Sequence, residues 1–482
     1  MRVWLSRYGN LVLIIGIVVT GLLISLVGYT AIGLYRDSKS LLTTLKSSSE
    51  VSTTQSSKLV ADINKSFGVL NLPVIKQLTQ VVGLDFTPIQ SEITTLTQIS
   101  PILLGDNKPK QYLIAFQNSA EARGTGGILG AYAIVEFNKG SLKVIETGSN
   151  EPLYGSSLEK IPIDVPAEYK RLYGENPAIL QNSNLSPHFP YGAEIWLALW
   201  KKKFGQTLDG VIAIDPTALS YILRSTGPIT LKSGEKISTD NVVSVTLKDA
   251  YQRFEKDNKA RKQYLVDIMN ATVKHLNSGD YSKIKMAQAI RDGIVANRIL
   301  FYSTDKKAQS NLSKVRLGGY MLLESNNEFR TVIQNIDAGK LDYYLDRDVI
   351  IESKSCEKLK ETQLRIRVTN TLKSATGISP YVLTRADKGK PASLVSGAHR
   401  FKVFIYGPTD AKLISVSREN RTAELGGASV ERKRPIYVAD VDLAPGASEE
   451  LLANFTGGVG SITYVDQPLV RKTNIQIKDR CS

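Results

Sequence analysis

Cysteine is nearly absent from this 482-residue chain: Cys356 and Cys481 are the only two. A fold of this size with two thiols does not depend on disulfide staples. If the body of the chain is exported, the two could pair, but spacing alone does not set their distance. Histidine is almost as scarce. His188, His275 and His399 stand far apart and none sits in HExxH. There is no GxSxG elbow and no Cys–His pattern of a thiol hydrolase, so a zinc or serine hydrolase is excluded as a leading reading. No Gly-Lys-Ser/Thr occurs, which removes the P-loop, and no internal repeat is evident.

What the chain does have is one long uncharged apolar run, Leu11 to Leu34. As a helix it would span roughly 36 Å, enough to cross a ~30 Å hydrocarbon core with some tilt. It is longer than the ~7–15 residues of a signal h-region, which favours a retained anchor over a cleaved leader. Trp4 and Tyr8 before it, and Tyr29 and Tyr35 near its end, suit the two interfaces. Arg2 and Arg7 precede it, whereas Arg36 and Lys39 follow beside Asp37, so the charge count is nearly balanced. A short basic leader that stays inside leads us to expect a single-pass plasma-membrane protein. Its N-terminus would be cytoplasmic and its bulk extracytoplasmic.

Net charge is +15, from 61 Lys+Arg against 46 Asp+Glu, and it is widely spread. With no polybasic tail, the expected partners are the lipid bilayer and anionic cell-wall polymer, not nucleic acid. The 42% apolar content supports real cores.

The expected fold class is α+β, multidomain. Residues 1–10 form the leader and 11–34 the membrane helix. A polar helical stalk follows at 35–105, interrupted by Pro73 and Pro88. An α/β domain occupies 106–335: strands at Gln111–Gln117, Ala131–Phe137, Leu142–Thr147 and Asp209–Asp215, with helices at 191–204, after Pro216, and at about 239–254, 259–277 and 283–297. Residues 150–190, rich in Pro and Asn, are expected to loop over the surface. From 336 to 482, short runs separated by Gly, Pro and Asp predict a β-sandwich.

The densest candidate site is Gln117-Asn-Ser-Ala-Glu-Ala-Arg-Gly-Thr-Gly-Gly127. Asn118, Glu121, Arg123, Gly126 and Gly127 are expected to bind an anion: glycines let backbone N–H groups approach, and an arginine forks onto phosphate or carboxylate. A tight glycine turn with a structural Glu–Arg pair is the other reading of these residues. A second cluster is Arg253, Asp257 and Arg261, with cations in the first turns of a helix. Asp215 and Asp257 are candidate metal ligands, and a helix cap is the alternative for Asp215.

Gln117-Asn-x-Ala-Glu-x-Arg-x-Thr-Gly-Gly127, Asn184-x-Ser-Pro-x-Phe-Pro190, and Asp209-Gly-Val-Ile-Ala-Ile-Asp-Pro216 with Thr226-Gly-Pro228 carry a resemblance. Together they resemble a bacterial envelope family known only as a domain of unknown function, number four thousand and twelve. Gly124, Ile128 and His188 depart from its usual proline or alanine, phenylalanine and aspartate. More distantly, Gly205-x-x-Leu-Asp-Gly-Val, Leu223-x-x-Thr-Gly-Pro and Asp257-x-x-x-Arg-Lys-Gln263 resemble the LytR–CpsA–Psr family. Those single-span enzymes transfer glycopolymer from a polyprenyl diphosphate carrier to the wall. The resemblance implies that Arg123, Arg253 and Arg261 bind diphosphate, and that Asp215 or Asp257 supports Mg2+. Lys262 replaces a paired arginine of that family and loses the bidentate fork. The leading expectation is an envelope protein that binds or transfers a polyprenyl-diphosphate-linked glycopolymer. The alternative is a non-enzymatic scaffold or adhesion-type binding protein with a degenerate transferase domain.

Overall fold

The computed structural model describes residues 95–480, apart from 97, 140, 155–164, 175–178, 279–280, 325, 356–359, 384–394, 419–420 and 424–427. The apolar run Leu11–Leu34, most of the expected stalk, Cys356 and Cys481 lie outside the described residues. Among the described residues no helix is long and apolar enough to cross a membrane.

The fold is mixed α/β. Strand β1, Lys110–Arg123, forms a hairpin with β2, Gly126–Asn138. β3, Ser141–Ser149, continues the meander. β4, Gly210–Ile214, joins β1 in parallel, and Ile299–Ser303 closes the other edge antiparallel to β4. The sheet order is therefore β3-β2-β1-β4 followed by Ile299–Ser303.

Side chains alternate between faces along each strand. On one face Leu113, Ala115, Leu129, Val211 and Ala213 are buried. They meet Trp196, Leu199 and Trp200 of the helix Phe189–Phe204. The spacing of the two tryptophans puts both on that helix's inner stripe. The opposite face is covered by the helices Pro216–Thr226 and Asn258–Ser278.

Residues 150–190 are not a plain loop. Ala167–Tyr173 is helical, and Tyr169 and Tyr173, one turn apart, are both buried against the same core. Two aromatics at helical spacing outweigh the loop-forming composition around them.

Downstream, two further sheets face each other. Val349, Ile351, Leu364, Ile366, Leu451 and Phe455 of one meet Phe329, Ile333, Phe401, Val403 and Ile405 of the other. The strand Glu328–Asn335 pairs with His399–Tyr406 and so belongs to this sandwich, although it precedes residue 336. That sheet is buried on both sides: Val332, Phe404, Tyr406 and Ile436 point the other way, into the core of the α/β layer. The two parts share one continuous apolar interior, and Leu341 and Asp342 at their junction are buried.

Candidate functional site

An apolar cavity of about 620 Å³ lies between the β-sheet and the helices Pro216–Thr226 and Asn258–Ser278. Its floor is the second face of the strands: Ile114, Phe116, Ile212 and Ile214. Their neighbours Leu113, Ala115, Val211 and Ala213 are fully buried, whereas these four are only half-buried. The reason is the cavity, which leaves one side of the central strands without packing partners. Leu265, Met269 and Val273 form the roof, and Leu142 and Val144 line it from β3.

The polar end is built by an irregularity in β1. Asn118 pairs with Ile128, but the next paired residue is Ala122, opposite Gly127. The bulge Ser119–Glu121 re-aims the strand and puts Glu121 into the cavity wall. Glu121 forms an ion pair with Lys340 of the segment after Glu328–Asn335. Burial alone would lower the Lys340 pKa, but Glu121 and the neighbouring phenols outweigh it and hold the ammonium above its ordinary range.

Arg261, on the first turn of Asn258–Ser278, is 3% exposed. Its guanidinium carbon lies 4.4 Å from the ring centroid of Tyr251 and 4.0 Å from that of Tyr381. The two rings stack on each other 5.6 Å apart. Nη2 donates to Asn258 Oδ1, and Nη1 has no hydrogen-bond partner. Tyr251 follows a π-turn, Val245–Asp249, in the helical stretch from Val242 to Arg253. Its hydroxyl accepts from Asn118 Nδ2 at 2.8 Å. Glu151, Tyr154, Asn258 and Lys262 rim the opening, with Lys262 paired to Glu151 at 2.9 Å.

Thus Asn118, Glu121 and Arg261 line one cavity. Arg123 does not line it. Arg123 donates to the carbonyls of Gln181, Ala122 and Asn335 and lies 3.7 Å from Glu121. This structural Glu–Arg pairing is the alternative raised above for the glycine segment. Buried carbonyls need donors, and Arg123 supplies three of them where β1 meets the sandwich.

Gly126 and Gly127 serve close packing. A Cβ on Gly127 would stand 2.1 Å from the Asn118 carbonyl oxygen, and the Gly127 carbonyl accepts from Asn184 Nδ2. Asn184 also donates to Thr125 and Gln117, which ties the Asn-x-Ser-Pro segment to the glycine turn. Ser186 of the same segment donates to the buried Glu431, which Tyr173 and Tyr406 also reach.

Arg253 is exposed and paired with Glu235 at 2.7 Å, away from the cavity. Asp257 caps the helix after it, accepting from Ala260 N at 2.8 Å. Asp215 lines the cavity but is fully engaged: Oδ1 accepts from Ala218 N as the cap of Pro216–Thr226, and Oδ2 pairs with Arg298. Burial raises its pKa against the pull of Arg298. The donor set does not suit Mg2+: a cation at Asp215 would have to displace both a guanidinium and a cap. Among the described residues no group of three or more acidic, His or Cys side chains converges.

Lys340, Tyr251 and Tyr381 also line the cavity and belong to none of the sequence clusters above. The first and last come from segments of the sandwich half, and no sequence motif joins them to Arg261.

Residues 107–251 match the family described as a protein of unknown function (DUF4012). The match covers β1, the glycine turn, the Asn-x-Ser-Pro segment and Tyr251, and stops short of Arg261 and Lys340. No curated protein matches the chain. Two solved structures of Legionella pneumophila show slight likeness. One is described as a nutrient binding protein (7% identity, 30% of this chain, 49% of that one, TM-score 0.18). The other is an aminopeptidase A in complex with aspartic acid (12% identity, 27% and 12%, TM-score 0.14). The chain thus spans about half the length of the first and a small part of the second.

Proposed function

We propose that this is a membrane-anchored envelope protein that binds a polyprenyl-linked glycopolymer carrier. The carrier's apolar chain would occupy the cavity and its phosphate-bearing head would rest on Arg261. One observation carries the reading: a preformed apolar cavity whose polar end holds a buried arginine with an unpartnered N–H group. Apolar walls with a few convergent polar groups are the usual make-up of a small-molecule site. A buried unpaired cation is costly, and an anion would relieve that cost. The Leu11–Leu34 run supports an anchor that keeps such a site at the bilayer, raising the effective concentration of a membrane-borne ligand. Arg261 is also the arginine of the Asp257-x-x-x-Arg-Lys-Gln263 resemblance to the LytR–CpsA–Psr family.

Binding is better supported than transfer. Arg123 and Arg253 are committed elsewhere, and Asp215 and Asp257 act as helix caps. The test is to extract the full-length protein in mild detergent and identify co-purifying lipid by mass spectrometry. Wild type should carry a polyprenyl phosphate species that Arg261→Ala loses. Equal lipid on both proteins, or none on wild type, would discard the reading.

A further inference from the structure

We infer that the head group taken by this cavity carries a single uncompensated negative charge, as a phosphodiester or a carboxylate does, and not the several charges of a diphosphate. The inference rests on reading the cavity as a lipid site and narrows what that site accepts.

The argument starts from charge. Around the polar end stand Arg123, Arg261 and Lys340, against Glu121 and Asp342. Lys340 is paired with Glu121. Arg123 is spent on three backbone carbonyls beside Glu121. Asp342 accepts from Ala122 N and Asn335 Nδ2 and stands 3.3 Å from His399 Nε2. The remaining charges on the lining are paired, Asp215 with Arg298 in the interior and Lys262 with Glu151 at the exposed rim. Among the described residues at the polar end, the cation met by neither a carboxylate nor a set of backbone carbonyls is Arg261.

Arg261 is also held in place: the Tyr251 and Tyr381 rings lie against its guanidinium, Asn258 accepts from Nη2, and Nη1 has no hydrogen-bond partner. One oxyanion satisfies that group. A second phosphate would bring extra negative charge beside Glu121 and the Tyr251 and Tyr381 rings, and among the described lining residues no unpaired cation is left to meet it. Burying an unmatched charge is costly.

The test uses the full-length protein, stripped of lipid in detergent and titrated by calorimetry with four probes of about twenty carbons. These are geranylgeranyl methyl phosphate, geranylgeranyl diphosphate, a saturated twenty-carbon carboxylate and the neutral geranylgeraniol. The singly charged phosphodiester, the carboxylate, or both should bind at least about tenfold tighter than the diphosphate and the alcohol, the scale of a charge-assisted hydrogen bond. Which of the two singly charged probes binds identifies the source of the charge. Arg261→Gln should bring the charged probes down to the alcohol, while Arg261→Lys keeps part of the preference. Diphosphate binding as tight as the singly charged probes, with or without magnesium, would overturn the inference and leave the lipid site standing. No binding by any probe, alcohol included, would overturn the lipid site itself.

Discussion

The guanidinium carbon of Arg261 lies 4.0 Å from the ring centroid of Tyr381, so a residue of the α/β half is clamped by one from the short helix Pro380–Leu383 of the sandwich half. The polar end of the cavity exists only because the two halves meet. Tyr381 is 39% exposed. Tyr381→Ala should therefore cost little stability, under about 1 kcal/mol by a cation–π estimate. It should weaken binding of an anionic amphiphile about three- to tenfold by freeing the arginine. Thermal unfolding and titration, run side by side, separate the two effects.

Glu121→Gln removes the counter-ion of a 5% exposed lysine. Leaving Lys340 buried and unpaired should destabilise the fold by about 3–5 kcal/mol. The double variant with Lys340→Gln should recover most of that loss. Urea unfolding of the three variants closes the cycle, and additive losses would show that the pair is not coupled.

Ile212→Phe places a larger ring in the empty space above β4. Because that space is unfilled, the change should leave the melting temperature unchanged or raised, in contrast to overpacking a filled core. Amphiphile binding should fall at least about tenfold, since the chain's volume is taken. Full binding with a raised melting temperature would mean that the ligand chain lies elsewhere.

His188 is 3% exposed, and its Nδ1 accepts from Met321 N at 3.1 Å. Burial, then Arg432 and Arg330, hold its pKa well below 6.5. Its folded pKa is depressed, so the unfolded chain binds a proton that the native state refuses. Its contribution is present above pH 6.5 and is lost as pH falls below that value. Between pH 7.5 and 5, wild type should lose stability relative to His188→Asn by about 1.4 kcal/mol per pH unit below 6.5. Parallel melting curves at the two pH values would count against a neutral His188.

Gly127→Ala would drive a Cβ to 2.1 Å from the Asn118 carbonyl oxygen, a backbone atom that cannot swing away. The expected loss is about 2–4 kcal/mol. An Arg253→Ala control, on an exposed pair, should stay within about 0.5 kcal/mol and bind normally. A Gly127→Ala protein as stable as wild type would mean that the turn opens.

Local sequence pattern is enough to place the elements and several of their faces. Alternation along Gln111–Gln117 and the i, i+4 spacing of Trp196 and Trp200 reflect local backbone periodicity, and the strands and helices stand near their expected places. The cap at Asp215 was legible for the same reason, reaching an N–H three residues on, whereas Asp257, read as a candidate metal ligand, also proves to be a cap. The sequence also marked Asn118, Glu121 and Arg261, which do share a cavity. Which cations stay free depends on long-range packing. Arg123 and Arg261 look alike as residues, yet one faces three carbonyls at the junction with the sandwich and the other faces a cavity. Lys340 reaches Glu121 across 219 residues of chain, and Tyr381 reaches Arg261 across more than a hundred, because sheet packing brings their segments against the β1 bulge. The emptiness above Ile114 and Ile212 is likewise invisible in sequence, since an apolar strand reads the same whether its second face meets a helix or a cavity that a ligand can fill.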